Sequence, residues 1–485
     1  MRYHSTRSNE NFVDSAQAVL SGLAPDGGLY VPENLPKIDV SACLQGSTLE
    51  MATQIIGALL PAIPDMETLV DRAYRGKFQT EELTPTVDTG KFTVLELFRG
   101  PTSAFKDVAL CMLPQLLTAA RKVKGMEEDV LILTATSGDT GKAALAGFAN
   151  VPGVKICVFY PDGGVSAVQR AQMVTQEGNN VAVCAVYGNF DDAQTGVKNI
   201  FAAAENGRLP AGNRLRLSTA NSINIGRLAP QITYYFKAYA DLLHRGQIQM
   251  GDTVNFCVPT GNFGDILAGW LAKKLGLPVG KLICASNANN VLTDFIQTGT
   301  YDRRRPLHKT LSPSMDILVS SNLERLLYFL SGDTALVASL MQQLNTEGNY
   351  TVPDELKKAI AEEFWAGCCD DAGAQATIAK VYKEQNYLCD THTATAWAVA
   401  EDYVNQTGDN RPMVVLSTAS AYKFPGSVLS ALEDADGKDE FAQMDRLAEL
   451  TGWPIPDNLA GLQEKKELHT GVIEQDTMLQ FVMGL

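Results

Sequence analysis

The sequence predicts an α/β protein in which apolar strands alternate with helices along most of the chain. From about residue 91 onward, short apolar runs are each followed by a polar loop and then by apolar residues at helical spacing. This alternation is typical of βαβ units, in which a mostly parallel sheet carries helices on both faces. Because 485 residues are too many for one hydrophobic core, we expect two or three domains.

The expected elements follow in chain order. Residues 1–90 are predicted to be mainly helical, with turns at 24–28 and at Pro32. The predicted strands lie at 92–98, 130–133, 154–159, 181–186, 215–217, 253–258, 282–285 and 413–417. One helix is predicted to start near 109, and two more are predicted at 168–176 and 190–204. A further helix follows residue 222 and ends at 235, another follows residue 265 and ends at 275, and most of 322–365 is predicted to be helical.

We divide the chain into four parts. They are an N-terminal domain (1–90), a large α/β domain (91–108 and 222–430), a small α/β domain (109–221) and a C-terminal extension (431–485). In open α/β sheets, ligands bind beyond the carboxyl ends of the strands. The loops after the predicted strands are therefore where we expect the chemistry.

Composition excludes several classes of function. A net charge of −15 argues against nucleic acid or an anionic membrane as a partner. The nine scattered cysteines predict reduced, mostly buried thiols, and hence a cytoplasmic protein. No histidines have the spacing of a metal site, so we expect no metal, and no apolar run predicts a membrane span or a leader. We expect a monomer or a homodimer.

The candidate catalytic residue is Lys106. It follows a predicted strand and a Gly-Pro turn, and it stands at the start of a predicted helix. A helix N-terminus and apolar neighbours both disfavour the ammonium form, as a lysine that forms a Schiff base requires. Ser103 and Lys106 also satisfy the S-x-x-K pattern of β-lactamases, but the companion strings S-D-N and K-T-G are missing.

Two glycine-containing loops are candidate anion sites. The loop from Thr260 to Asp265 joins a strand to a helix, and its amides could bind a phosphate, with Asp265 expected to cap the helix. A plain turn is the alternative for this loop. The loop from Thr136 to Gly141 is rich in hydroxyls and amides, but Thr136 stands where a P-loop requires glycine.

A second group of polar residues could bind a phosphate or a carboxylate. Asn221, Ser222 and Arg227 surround one predicted helix start, although a capped helix with a solvated arginine would give the same pattern. Thr418 ends a strand and could hydrogen-bond a ring nitrogen or merely begin a turn. A reactive lysine, a phosphate loop and a ring-nitrogen partner together suit pyridoxal phosphate.

The motifs as a set resemble the threonine synthase family, of the longer type with an added N-terminal domain. The resemblance runs from the N-terminus to Thr418, and its motifs keep their order over more than 400 residues. The matching segments are Tyr3-His4-Ser5-Thr6-Arg7, Gly22-Leu23-Ala24-Pro25-Asp26-Gly27-Gly28-Leu29-Tyr30-Val31-Pro32, Ala104-Phe105-Lys106-Asp107, Ser137-Gly138-Asp139-Thr140-Gly141, Asn221-Ser222-Ile223-Asn224, Gly261-Asn262-Phe263-Gly264-Asp265 and Ser312-Pro313-Ser314-Met315-Asp316.

The resemblance implies a fold-type II pyridoxal phosphate enzyme that makes L-threonine and phosphate from O-phospho-L-homoserine and water. It implies that Lys106 holds the cofactor and that Thr418 meets its pyridine nitrogen. The implied cofactor-phosphate site consists of Gly261, Asn262, Phe263, Gly264 and Asp265. The residues implied for the substrate are Ser137, Asp139 and Thr140 near its carboxylate, and Asn221, Ser222 and Arg227 at its phosphate.

The sequence departs from the family pattern at three places. In the segment before Lys106, Arg99 stands where a histidine is usual and Ser103 where a leucine is usual. Thr391 replaces the proline before His392, and Ser420-Ala421 replaces a His-Pro pair. These departures leave open which group assists Lys106 in proton transfer, and whether His392 contacts the site or is structural. Two other functions remain open: a related phospho-lyase that gives 2-oxobutyrate, and a nucleotide-binding protein.

Overall fold

Two mainly parallel β-sheets carry the loops that hold the candidate site residues. The computed structural model describes residues 1–136, 138–204, 209, 215–434, 437 and 439–485. The strands of the described residues are β1 (Arg2–Ser5), β2 (Ser8–Asp14), β3 (Tyr30–Pro32), β4 (Thr86–Asp88), β5 (Thr93–Glu96), β6 (Asp129–Ala135), β7 (Val154–Pro161), β8 (Val181–Val186), β9 (Leu215–Ser218), β10 (Val254–Pro259), β11 (Val279–Ser286), β12 (Thr300–Asp302), β13 (Asn349–Thr351), β14 (Phe364–Cys368), β15 (Met413–Ser417) and β16 (Val472–Ile473).

Helices flank both sheets. Those of the described residues are α1 (Ser15–Ser21), α2 (Val40–Leu44), α3 (Thr48–Leu59), α4 (Met66–Tyr74), α5 (Lys106–Val123), α6 (Asp139–Phe148), α7 (Ala167–Val174), α8 (Phe190–Ala203), α9 (Ile225–Leu228), α10 (Ile232–His244), α11 (Gly264–Lys274), α12 (Val291–Thr298), α13 (Leu323–Ser331), α14 (Thr334–Thr346), α15 (Asp354–Glu363), α16 (Asp371–Gln385), α17 (Thr391–Thr407), α18 (Pro425–Leu432), α19 (Glu440–Thr451) and α20 (Met478–Met483).

The larger sheet has the strand order β14-β11-β10-β15-β5-β4. Its first five strands are parallel, and β4 pairs antiparallel with β5 at the edge. Every residue of β10 and β15 is buried, as expected for central strands covered by helices on both faces. Because β10, β15 and β5 are neighbours, the loops at their carboxyl ends meet at one edge of the sheet.

The smaller sheet has the order β16-β8-β7-β6-β9, and all its strands are parallel. The C-terminal segment contributes its edge strand β16, and Met478 and Val482 of α20 join the apolar cluster on one face of this sheet. The predicted extension thus adds a strand to the smaller sheet. The four domain boundaries given above stay a prediction.

The first 90 residues contain more β-structure than the sequence predicts. Strands β1, β2 and β3 form an antiparallel sheet with β1 in the middle, and helices α1 to α4 follow around it. Strand β2 is mostly exposed and polar, so it lacks the alternation of apolar and polar residues by which a strand is recognised.

One buried cluster connects the N-terminal helices with both parallel sheets. It includes Ile55 of α3, Leu113 of α5, Ile132 of β6 and Phe256 of β10. Helix α5 therefore packs between the N-terminal region and the sheets, which fixes its first residue at the edge where the strands end. None of the described helices is long and apolar enough to cross a bilayer.

Candidate active site

Lys106 is the first residue of α5, and the turn before it is fastened to the end of β15. The Phe105 N–H donates to the Thr418 carbonyl at 2.8 Å, and the Ser420 N–H donates to the Ser103 carbonyl at 3.1 Å. Ser103 adopts a left-handed conformation with φ of 58°, which closes the turn. These bonds place Lys106 and Thr418 side by side. The segments that contain them follow β5 and β15, which are parallel neighbours and end at the same edge of the sheet.

The Lys106 amine is buried between two polar side chains. Its Nζ donates to Ser314 Oγ at 3.1 Å and lies 3.6 Å from Asp139 Oδ2. Burial, together with the ammonium group of Lys423 and the guanidinium group of Arg227, lowers the pKa of Lys106 to about 8 against the opposing effect of Asp139. An amine that titrates this close to neutrality is suited to take and return protons.

Asp139 contacts two lysines rather than presenting a free carboxylate. Its Oδ1 lies 2.6 Å from the Lys423 Nζ and accepts a hydrogen bond of 3.0 Å from Gln169 Nε2. Burial alone would raise the pKa of Asp139, but Lys423 and Lys106 outweigh it and hold that pKa far below its usual range. The carboxylate is therefore an anion at neutral pH, and it would repel the carboxylate of a substrate.

The loop that contains Asp139 has two further candidate substrate-binding residues, Thr140 and Ser137. Thr140 is half-buried in the first turn of α6, where free amides point out of the helix. Ser137 lies outside the described residues. The expectation that this loop takes the substrate carboxylate thus depends on amides and hydroxyls, not on the Asp139 side chain.

The loop after β10 has the geometry of an anion site. Phe263 adopts a left-handed conformation with φ of 63°, and within the described chain its side chain makes no capping bond to α11. The first amides of α11 therefore keep no acceptor within the helix. Gly261 is required because a Cβ there would lie 2.6 Å from the Ser314 carbonyl oxygen, and Gly264 begins the helix.

Asp265 does not cap α11, so that expectation is wrong. Its Oδ1 accepts hydrogen bonds from the hydroxyls of Tyr234 at 2.6 Å and Tyr235 at 2.9 Å. Burial raises the pKa of Asp265 to about 6, although the two tyrosines oppose the shift. The side chain points away from the helix start because α10 presents two donors to it. Asn262 remains exposed, and its carbonyl accepts the Asn322 N–H at 3.0 Å.

Arg227 is buried, contrary to the alternative of a solvated arginine. It is 5% exposed and donates to the Ala220 carbonyl, and it forms no ion pair with a carboxylate of the described residues. Burial lowers the pKa of Arg227 to about 10, which leaves it charged. A buried cation without an anion is costly unless a ligand supplies the negative charge.

Asn221 and Ser222 precede this arginine but do not cap its helix. The cap of α9 is Asn224, whose side chain accepts from the Gly226 N–H at 2.8 Å. Asn221 is exposed, and the half-buried Ser222 hydroxyl lies 3.3 Å from Ser321 Oγ. The Ser222 hydroxyl also donates to Asn221 Oδ1 at 3.2 Å, so the two side chains contact each other in the loop before α9.

Two residues at the site carried no role in the sequence analysis. Ser314 belongs to a recognised motif, and Lys423 lies five residues beyond Thr418 in a short 3₁₀ helix, Ala421–Lys423. Only their long-range contacts with Lys106 and Asp139 reveal them. No spacing rule in the sequence would have found Lys423.

Two of the departures from the family pattern, Arg99 and Thr391, are bonded to residues other than Lys106. Arg99 pairs with Glu96 at 2.6 Å, and Thr391 donates to the Leu311 carbonyl at 2.7 Å. His392 is buried: its Nδ1 lies 2.6 Å from Asp390 Oδ2 and its Nε2 accepts the Ser314 N–H at 3.2 Å. His392 thus contacts a neighbour of Lys106 rather than the amine itself.

Comparison with known proteins gives three family matches. The threonine synthase N terminus matches residues 2–74, the pyridoxal-phosphate dependent enzymes match residues 79–419, and the C-terminal part of threonine synthase matches residues 393–480. The second match covers most of the chain, so the chain is a member of the pyridoxal-phosphate-dependent enzymes.

Individual relatives narrow the class. Threonine synthase of Pseudomonas aeruginosa is 41% identical over 441 residues, which are 89% of this chain and 90% of that protein. The structure of pyridoxal-phosphate-bound threonine synthase from Brucella melitensis superposes with a TM-score of 0.87 at 38% identity, over 100% of this chain and 98% of that one. The chain belongs to the threonine synthase family.

A further relative is longer. Threonine synthase-like 1 of Macaca fascicularis is 39% identical over 436 residues, which are 86% of this chain but only 58% of that protein. The chain therefore spans little more than half the length of this relative. The comparisons confirm the predicted fold class and family.

The residues present fit pyridoxal phosphate, the cofactor of this family. Lys106 supplies a buried amine of lowered pKa, and the start of α11 supplies amides without a side-chain cap. Gly261 keeps the loop before α11 free of a side chain where the Ser314 backbone approaches it. Thr418 follows β15, which lies between β5, the strand before Lys106, and β10, the strand before Gly261. An amine, an anion cradle and a hydroxyl thus lie together at adjacent strand ends.

Proposed function

We propose that the chain converts O-phospho-L-homoserine and water into L-threonine and inorganic phosphate. The observation that carries the proposal is that the site contains two buried basic side chains. Lys106 has a lowered pKa, and Arg227 has no carboxylate partner among the described residues. The first suits proton transfer, and the second suits a phosphate on the substrate. Membership of the threonine synthase family supports the same reaction.

In this proposal the cofactor is held by three strand-end loops of the larger sheet. Lys106 would bind it covalently, the amides of residues 261–265 would bind its phosphate, and the Thr418 hydroxyl would face its ring nitrogen. When bound there, pyridoxal phosphate would withdraw electrons from the bonds at Cα of the amino acid. A hydroxyl does not hold the ring nitrogen protonated, so more of the stabilisation falls to charged groups around the site.

Substrate binding depends on the smaller sheet. Arg227, with Asn221 and Ser222 beside it, binds the phosphate of the substrate through charge-assisted hydrogen bonds. The amides at the start of α6 and the Thr140 hydroxyl bind its carboxylate. Ser137, which lies outside the described residues, is proposed to bind the same carboxylate. Asp139 stays paired with Lys423, and the lysine charge offsets the repulsion between this carboxylate and that of the substrate.

Lys106, once displaced from the cofactor by the amine of the substrate, has a free amine that moves the protons. It removes a proton from Cα, assists the proton transfers at Cβ and Cγ, and returns a proton to Cα at the end. The bond between Cγ and the phosphate oxygen breaks, so phosphate leaves with all its oxygens, and water adds its oxygen to Cβ. One substrate and one water thus give one threonine and one phosphate.

Product analysis tests the proposal. Purified protein with O-phospho-L-homoserine should release threonine and phosphate in equal amounts. Release of 2-oxobutyrate in place of threonine would establish the phospho-lyase instead. The protein should be yellow, and borohydride should bleach it and leave the cofactor attached to the peptide that contains Lys106. A colourless protein that binds ATP would support a nucleotide-binding role and contradict the proposal.

We also propose a cytoplasmic location and a monomer or homodimer. All nine cysteines are free thiols, and seven of them are buried, which suits a reducing compartment. Fractionation of the source cells and sedimentation of the pure protein test these two points.

A further inference from the structure

A lysine that no sequence motif singles out forms the closest ion pair at the site. Lys423 is fully buried, and its Nζ lies 2.6 Å from Asp139 Oδ1 and donates to the Thr102 carbonyl at 3.1 Å. Asp139 follows β6 of the smaller sheet, whereas Lys423 follows β15 of the larger one. The pair therefore joins the two sheets beside Lys106.

The two oxygens of Asp139 have different tasks. Oδ1 receives Lys423 and the Gln169 amide, and Oδ2 faces the Lys106 amine at 3.6 Å. Because two donors hold Oδ1, the carboxylate plane is fixed and Oδ2 keeps its direction toward Lys106. The distance from Oδ2 to the amine is thus set by Lys423 and Gln169.

We propose that Lys423 is a positioning residue, which holds Asp139 as an anion with one oxygen toward the Lys106 nitrogen and so sets the charge on that nitrogen. The inference rests on the proposed function, in which Lys106 is the reactive amine. Lys423 does not touch the amine, and it acts through Asp139 and through its own charge.

The charged groups around the Lys106 amine raise or lower its pKa according to their sign. Asp139 raises the pKa of Lys106, whereas burial, Lys423 and Arg227 lower it. Asp107 of α5 and Lys142 of α6 carry charges that interact with Lys423. On the side of Ser314, the nearest titratable groups are His392 and its partner Asp390.

Substitutions at the pair should therefore shift the charge on Lys106 in opposite directions. In Lys423→Met, the amine loses a repelling cation and becomes the main partner of Asp139, so the lysine nitrogen holds its proton to higher pH. In Asp139→Asn, the attracting anion is lost and the nitrogen releases its proton at lower pH. A close charge shifts a titration midpoint by about one pH unit or more, a tenfold change in proton affinity.

The experiment is a pH titration of the visible spectrum of the holoenzyme, which reports the protonation of the cofactor-linked Lys106 nitrogen. The same midpoint is measured in the full chain freed of cofactor, from the rate at which acetic anhydride labels Lys106. Because removing one partner of a buried ion pair destabilises a fold, the double variant Asp139→Asn/Lys423→Met is measured as well.

The expected result is a higher midpoint for Lys423→Met, a lower one for Asp139→Asn and an intermediate one for the double variant. The matched control is Lys122→Met, since Lys122 is exposed on α5 and its loss should leave the midpoint unchanged. Equal midpoints in wild type, Lys423→Met and the double variant would overturn the inference. A wild-type holoenzyme without a visible band would instead overturn the proposed function.

Discussion

The Lys106 amine and the Ser314 hydroxyl are joined by a hydrogen bond of 3.1 Å. The backbone N–H of the same serine donates to His392 Nε2, and His392 Nδ1 lies 2.6 Å from Asp390 Oδ2. Since Nε2 accepts the Ser314 N–H, Nδ1 is the ring nitrogen left to donate to Asp390. A chain of contacts thus extends from the start of α17 to the candidate catalytic amine, and it fixes the acceptor of that amine.

Replacing Ser314 by alanine should lower kcat and leave the fold intact. The variant removes the acceptor of the Lys106 hydrogen bond, and a neutral acceptor contributes about 1 kcal/mol, which corresponds to a loss of roughly five- to tenfold. Steady-state rates of threonine formation measure it. The exposed Ser339 of α14 provides the control, because Ser339→Ala should change nothing. A Ser314→Ala enzyme as fast as wild type would remove the hydroxyl from the site.

Replacing Arg227 by methionine should weaken binding of the substrate phosphate. A hydrogen bond to a charged group contributes about 1.5–3 kcal/mol, so KM for O-phospho-L-homoserine should rise about 10- to 100-fold. Inhibition by L-threonine, which has no phosphate, should be unaffected. The exposed Arg245 serves as the control in Arg245→Met. An unchanged KM in Arg227→Met would place the substrate phosphate elsewhere.

Adding one methyl group at Gly261 should weaken cofactor binding. The new Cβ would lie 2.6 Å from the Ser314 carbonyl oxygen, so the loop must shift. Such crowding typically costs about 1–3 kcal/mol, or roughly 5- to 100-fold in the Kd for pyridoxal phosphate. In the control Gly57→Ala of α3, the new methyl group meets Met66 at an ordinary 3.7 Å and should leave the Kd unchanged. Equal affinities for the two variants would show that this loop does not hold the cofactor.

The buried Lys106 ammonium should destabilise the cofactor-free protein at neutral pH. Burial lowers its pKa from 10.5 to about 8, so between these values the unfolded chain binds more protons than the native one. The free energy of unfolding therefore rises with pH across that interval, by about 3 kcal/mol in total. Lys106→Met cannot titrate, so its advantage over wild type should be fully present below about pH 8 and should disappear as the pH rises to about 10.5.

Urea denaturation of both proteins at several pH values measures that difference. Lys122 of α5 is exposed, so Lys122→Met should show no such pH dependence relative to wild type. A difference between Lys106→Met and wild type that stays constant with pH would mean that the amine is not held in a desolvated site.

Much of the fold is predictable from sequence because its strands and turns are local signals. Strands β10 and β15 are continuous apolar runs, and each is followed by a loop with glycine or hydroxyl residues. The sequence does not predict strand β14, since its five residues continue the helical pattern of α15 and contain no β-branched side chain. Its place at the edge of the sheet comes from pairing with β11, a contact between distant parts of the chain.

The candidate site is likewise predictable from sequence only in part. Lys106 and Gly261 stand at turns that the sequence itself marks, and their motifs identify them. Lys423 lies in no motif, and only the folded chain brings it to Asp139. The wrong expectation for Asp265 has the same cause, because its partners Tyr234 and Tyr235 come from a neighbouring helix that local spacing does not reveal.

The central claim is that the chain makes threonine by losing phosphate from Cγ and adding water at Cβ. The most direct measurement is the reaction of the holoenzyme with O-phospho-L-homoserine in water enriched in the heavy oxygen isotope, with mass analysis of both products. The account predicts one heavy oxygen in the hydroxyl of threonine and none in the phosphate, and no product from Lys106→Ala. Heavy oxygen in the phosphate with homoserine as the other product, or 2-oxobutyrate in place of threonine, would contradict it.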